Sequence, residues 1–276
     1  MTGKELVLAL RESRLDDVAP PYLWPDAELL RYLNYAEVQA CRRAQLIIDW
    51  TTASDAGTAA TAGTAGQKPL CSLNIIANQA TYALSPKILQ IRRCQIKSMT
   101  YPLIGPVTYS EIDSVLPGWW GTAGTVITSG SGGATTTVIT AGTSSTGTSA
   151  TSGTTITQLV GGYPTYFVNE PANTITFVLS PSADDVAHLI VSRIPLTPFT
   201  LLTSPEIEEK YHEGLVDWAA HLAFMKPDSE TINLKLATLY EAKFEGQFGP
   251  LPNAFSEKIR KTIPMMARMR PRPWGS

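Results

Sequence analysis

The residues of this 276-residue chain best equipped for chemistry are three histidines, three cysteines and a run of carboxylates. Their spacing suits none of the common reactions. His212-Glu213-Gly214-Leu215-Val216 comes nearest to a zinc-protease helix, but Val216 stands where the second histidine would have to be. His212 and His221 lie nine residues apart, which at about 100° per residue puts them on opposite sides of one helix, unable to chelate one ion. His188 stands alone in a β-prone run. The glycine-rich stretches contain neither a phosphate-cradling G-x-x-x-x-G-K-[ST] nor a nucleophile elbow G-x-S-x-G. Glu206, Glu208, Glu209, Glu213 and Asp217 could be imagined as a glycosidase pair. Their crowding into the first turns of one helix is better explained by the favourable macrodipole there. Cys41, Cys71 and Cys94 are widely spaced and odd in number, which predicts buried, reduced thiols rather than a disulfide framework or a zinc site. We therefore expect no catalytic residue, no metal ligand and no cofactor, in a protein that is not an enzyme.

One charge feature does stand out. Lys258, Arg260, Lys261, Arg268, Arg270 and Arg272 face no acidic residue after Glu257, and Pro264, Pro271 and Pro273 forbid a continuous helix. With Met265, Met266, Met269 and Trp274 as apolar anchors, the segment 250–276 reads as an extended basic arm able to lie along an acidic groove of a partner. Composition alone fits a solvated tail equally well.

The rest of the chain must position that arm. Thr2 and Glu5 have capping-box spacing, with Leu6, Val7 and Leu10 on one stripe, so a short helix is predicted from Thr2 to Leu10. Pro25 and Asp26 open a second helix in which Leu29, Leu33, Ala36, Ala40, Ala44 and Ile47 recur at helical spacing, predicted to reach Asp49 and to span roughly 36 Å. Thr51 to Gly66 is an Ala/Thr/Gly-rich surface loop or β-ribbon tip. Short β-prone runs follow at Leu70 to Ile76, Thr81 to Leu84 and Ile88 to Met99. Ser110 to Leu116 is then a helical turn before the aromatic anchor Trp119-Trp120.

No charged residue occurs from Ser114 to Asn169. Within this stretch Thr125 to Thr128, Thr137 to Thr140 and Thr154 to Thr157 repeat loosely as short strands between Gly/Ser/Thr turns. A sugar-binding module is one reading of it. However, no aromatic side chain lies between Gly121 and Gly162 to stack on a sugar ring, and an exposed β insertion fits better.

Strands resume at Tyr163 to Asn169, Thr174 to Leu179 and Ala187 to Arg193 with hairpin-length connections, which predicts an antiparallel sheet. Ser204-Pro205-Glu206 has the signature of a helix start, with Ile207, Tyr211, Leu215, Trp218, Leu222 and Met225 on one face. A second helix using Ile232, Leu236, Leu239 and Phe244 completes an antiparallel helical hairpin. The expected class is α+β: a helical bundle of N-terminal helices and C-terminal helical hairpin (1–50 and 204–249), a central antiparallel β-domain (67–120 and 162–194), a Thr/Gly/Ser-rich β insertion (121–161) and the extended basic C-terminal arm (250–276).

A hydrophobic fraction of 43% can fill a real core, and the net charge of −2 lacks the positive field of a dedicated nucleic-acid binder. No run approaches the roughly 20 uncharged apolar residues of a membrane span. Lys4, Glu5, Arg11 and Glu12 interrupt the N-terminal apolar run, which argues against a signal peptide and for synthesis in the cytoplasm.

Pro21-Tyr22-Leu23-Trp24-Pro25-Asp26-Ala27-Glu28-Leu29-Leu30, Gly162-Tyr163-Pro164-Thr165-Tyr166-Phe167, Ile175 to Pro181, and Pro205-Glu206-Ile207-Glu208-Glu209-Lys210-Tyr211-His212 together resemble the head-to-tail adaptors (connector, or tail tubular, proteins) of tailed bacteriophages. The resemblance implies a structural virion protein at the head–tail junction. In that family pattern a dodecameric ring under the portal connects capsid to tail and passes DNA without reading its sequence. It also implies that Lys258, Arg260, Lys261, Arg268, Arg270, Arg272 and Trp274 bind the portal protein, that a downstream tail or nozzle protein is a further partner, and that no membrane is involved. The insertion 121–161 departs from the family's usual compactness. A tail-associated glycan-binding module, a stopper or tail-completion protein, and a virion-associated hydrolase are the alternatives.

Overall fold

Thr2 does cap the first helix: its hydroxyl accepts the Glu5 amide while Glu5 accepts the Thr2 amide, so both orphan donors are satisfied in α1 (Gly3–Leu10). The protein is described from a computed structural model covering residues 1–55, 67–116, 125–128, 155–158, 164–170, 173–227 and 232–257. The backbone continues from α1 through a wide helical turn, Arg11–Leu15, that stops at Asp16 in the left-handed conformation. Buried Arg11 then ties the following loop together, pairing with Asp17 and with Asp26 at 2.7 Å.

Helix α2 (Asp26–Ala44) buries Leu29, Leu33, Ala36 and Ala40, as the spacing predicts, but ends earlier than expected. Gln45 is left-handed and Ile47–Asp49 forms strand β1 instead of a last helical turn. Ile47 falls on the helical repeat by coincidence. Its backbone pairs with Arg193, and that long-range ladder overrides the local pattern.

Helices α4 (His212–Phe224) and α5 (Leu234–Phe248) pack antiparallel and share one core with α1 and α2, built on Leu6, Leu33, Leu215, Trp218, Phe224 and Phe244. Two sequence expectations need correction here. Ser204-Pro205-Glu206 does not start α4: the Glu206 and Ile207 amides are taken by the Glu37 carboxylate, and helical winding begins only at Glu209–Tyr211. In α5 the cap is Asn233, and the buried stripe is Ala237, Tyr240, Phe244 and Phe248, leaving Ile232 and Leu239 half-exposed.

The β-region is two packed sheets. Strand β9 (Asp185–Arg193) pairs antiparallel with β4 (Ile88–Ile96) on one side and, end to end, with β1 and β2 (Ser72–Ile75) on the other. The second sheet has the order β3 (Thr81–Ala83), β8 (Thr174–Val178), β7 (Tyr166–Val168). Between the sheets lie Leu73, Ile91, Leu189, Tyr82, Phe167 and Phe177. The hairpin expected between β8 and β9 is therefore a crossing from one sheet to the other, because both strands carry apolar residues that only the shared core can bury.

Helix α3 (Tyr109–Val115), capped by Thr108 and Glu111, covers the outer side of the second sheet through Ile112 against Val168 and Val178. Chain 52–55 pairs with 68–71, and residues 56–66 of the expected surface loop or β-ribbon tip lie outside the described residues. Within the uncharged stretch β5 (Thr125–Thr128) pairs antiparallel with β6 (Thr155–Gln158). Thr137 to Thr140 and Trp119-Trp120 lie outside the described residues.

Candidate functional site

The side chains that looked reactive are occupied structurally. His212 is buried, with Nε2 on the Ile207 carbonyl at 3.1 Å, and His221 Nδ1 meets the Ala237 carbonyl at 2.9 Å. His188 is exposed on the open side of β9. All three cysteines are free and buried. Burial pushes the Cys71 thiol up to about 12 and raises Cys41 and Cys94 as well, so none is a thiolate nucleophile near neutral pH. The carboxylates around the start of α4 are held by specific cations rather than by the helix dipole alone. Glu206 pairs with Arg193, Glu208 with Lys210 at 2.5 Å, Glu209 with the N-terminal amine at 2.9 Å, and Asp217 with Arg14 at 2.8 Å. Among the described residues no group of three or more His, Cys, Asp or Glu side chains could hold a metal ion.

What the structure does build is a root for the C-terminal arm. Past α5, Asn253 accepts the Ser256 amide at 2.7 Å through its side chain and the Glu257 amide at 3.0 Å through its carbonyl, forming one capped turn. Glu257 then receives Arg42 from the end of α2, Nε at 3.0 Å and Nη2 at 2.6 Å. The neighbouring Arg43 donates to the Gly249 carbonyl at 3.0 Å and lies over the Trp218 and Phe244 rings. Two consecutive arginines thus fasten the chain past α5 at Gly249 and again at Glu257, and Phe255, between those points in sequence, is exposed. The residues read from sequence as portal-binding, Lys258, Arg260, Lys261, Arg268, Arg270, Arg272 and Trp274, lie outside the described residues. Arg42 and Glu257 were not singled out from sequence, because a pair 215 positions apart leaves no local signal.

A second polar cluster joins the helical core to the sheets. Arg193, last residue of β9, donates Nε to Asp49 at 2.7 Å and also pairs with Glu206. Burial works against ionised Asp49, but hydrogen bonds from Thr52, Thr51 and Arg193 outweigh it and hold the carboxyl below the usual range. Glu37, on α2, is raised to about 7 by burial, against the pull of the Glu206 and Ile207 amides. The one available sequence signal was a glutamate inside the apolar stripe Leu33, Ala36, Ala40.

The described parts are fastened together by charge and packing, and the sequence after Glu257 carries six Lys/Arg and no carboxylate. Comparison with curated proteins gives no match. Residues 1–272 match the family described as SU10 adaptor protein. A match over nearly the whole length, arm included, shows that the chain belongs to this family of phage head-to-tail adaptors.

Proposed function

We propose that the chain is the repeating subunit of a ring seated beneath the portal, joining capsid to tail and letting DNA pass without contacts that read its sequence. The observation that carries the proposal is the family match running through residue 272, which takes in the six cations after Glu257 as well as the described helices and sheets. Supporting it, the arm leaves from a root fixed by the Arg42–Glu257 pair, so its point of departure is set even where its partner is another protein. In this reading Lys258, Arg260, Lys261, Arg268, Arg270, Arg272 and Trp274 grip the portal, the β-sheets project outward or toward the downstream tail protein, and the helices face their neighbours around a dodecameric ring. No reaction is assigned to the chain.

The test is co-sedimentation with portal particles. Removing the residues after Phe255 should abolish docking, and docking that survives the deletion overturns the role given to the arm. Electron microscopy of the purified protein, alone and with portal, should show rings. A monomer that ignores capsid vertices would sink the proposal outright.

A further inference from the structure

The outward side of the sheet formed by β1, β2, β4 and β9 is exposed along Ile48, Asn74, Arg93 and His188 and closes only at the end where Ser192 lies buried beneath Arg92. Register places Ser72 and Gln95 on either side of His188, and Arg93 beside Ile190. Arg93 is exposed and donates to Gln95 Oε1 at 2.9 Å, while Arg92, lifted by a bulge, donates to Ser192 Oγ at 2.6 Å. No outward position of these four strands carries a carboxylate. At the β1 edge Ile48 is 45% exposed and Trp50 is 66% exposed. An apolar margin beside uncompensated cations is the composition of a contact surface rather than of a solvated face.

The complementary charge is on the same chain. Stretches 1–46 and 194–257, which build the helical core and its connections, hold ten Lys/Arg against seventeen Asp/Glu, a balance of −7. The most prominent of these acids stand at the start of α4. Glu209 is 77% exposed and Glu213 is 85% exposed, one turn apart, and they meet only the N-terminal amine at 2.9 Å and Arg14 at 3.8 Å. A cationic face cannot pair with its own symmetry copy, so a two-fold contact through the sheet is disfavoured. Meeting the acidic edge of the next copy instead gives a head-to-tail contact, the kind that makes a ring when its rotation closes.

We infer that the outward sheet face, through Arg92, Arg93 and the Ile48–Trp50 margin, docks onto the Glu209–Glu213 edge of a second copy of this chain. This rests on the ring reading above and adds a sheet-to-helix contact to the helix contacts named there between neighbouring subunits.

The test uses sedimentation velocity and electron microscopy of the full chain. The Arg93→Glu/Gln95→Glu variant should need at least tenfold more protein to assemble than the wild type, as should Glu209→Lys/Glu213→Lys. An equimolar mixture of the two variants should recover assembly, because every contact then joins an acidic sheet to a basic edge or the reverse. That recovery also shows that both variants are folded. Unchanged assembly of the sheet variant overturns the inference and leaves the ring standing. Loss without recovery in the mixture overturns the pairing of these two surfaces. Loss of DNA retention with assembly intact assigns the face to a polyanion and likewise overturns it. A wild type that assembles neither alone nor on portal removes the ring reading itself.

Discussion

Glu37 accepts the backbone amide of Ile207 at 3.2 Å across 170 positions of sequence. The Ile207 carbonyl is met by His212 Nε2 at 3.1 Å, so this one peptide segment is clamped from both sides just before α4 begins. The clamp fixes where the sheets hand the chain back to the helices.

Its pH dependence follows from burial. Glu37 titrates near 4.5 when solvated and at about 7 in the fold. A raised carboxyl contributes stability that is complete below the solvated value and is lost as pH rises through the folded one. Relative to Glu37→Gln, the wild type should therefore lose on the order of 2–3 kcal/mol between pH 4.5 and pH 8. Urea denaturation of both proteins across that range checks this, and parallel profiles would show that Glu37 does not carry the effect.

Arg193 offers a sharper test of the same junction. It is the shared partner of buried Asp49 and half-exposed Glu206, so Arg193→Met strands a carboxylate in the interior and should cost about 3–5 kcal/mol. Asp49, held below its ordinary value of 3.8, contributes stability that is present above that pH and lost as pH falls through its folded value. The triple change Asp49→Asn/Arg193→Met/Glu206→Gln should cost clearly less than Arg193→Met alone, since it removes the stranded charges. Chemical denaturation at pH 7 decides between coupled and additive behaviour.

The three thiols give a kinetic readout. Burial raises the pKa of Cys41, Cys71 and Cys94, so a disulfide reagent such as Ellman's should label none of them in the native protein at pH 8 and all three in denaturant. Native labelling at a rate independent of unfolding would contradict their placement.

The elements that sequence revealed are those whose signals are local. The Thr2–Glu5 box and the Leu29, Leu33, Ala36, Ala40 stripe are written within one or two turns, and both appear as read. The start of α4 was misread because Glu206 has the right residue type for a helix start, while Arg193 and Glu37, distant in sequence, claim its side chain and its amide. The end of α2 was misread because Ile47 satisfies the helical repeat and the strand equally. Splitting the strands into two sheets depends on which partners β9 takes along its length, and alternation within a strand does not encode partners. The arm's cations were visible as composition, whereas its Arg42–Glu257 root depends wholly on tertiary folding.

Three glycines separate close packing from open surface. A methyl group at Gly246 would meet nothing within 4 Å, so Gly246→Ala should stabilise α5 by about 0.5–1 kcal/mol through backbone entropy. At Gly214 the same methyl would stand 2.6 Å from the buried Phe248 ring and 2.0 Å from Gln247 Oε1. The Gln247 tip can swing away, but the ring is fixed between α4 and α5, so overpacking of about 1–3 kcal/mol should cancel or exceed the helix-propensity gain. At Gly3 the obstacle is the Thr200 carbonyl oxygen at 2.2 Å, in a segment held by amides of Gly3 and Lys4 bonding to Thr203 and Leu201 at 2.9 Å. Backbone tied at both ends cannot move aside as a side chain can, so Gly3→Ala should destabilise most of the three. Thermal melts of the three variants should rank Gly246→Ala above the wild type, Gly214→Ala at or below it, and Gly3→Ala lowest. A Gly3→Ala protein as stable as the wild type would mean that α1 does not seat against the 200–203 turn.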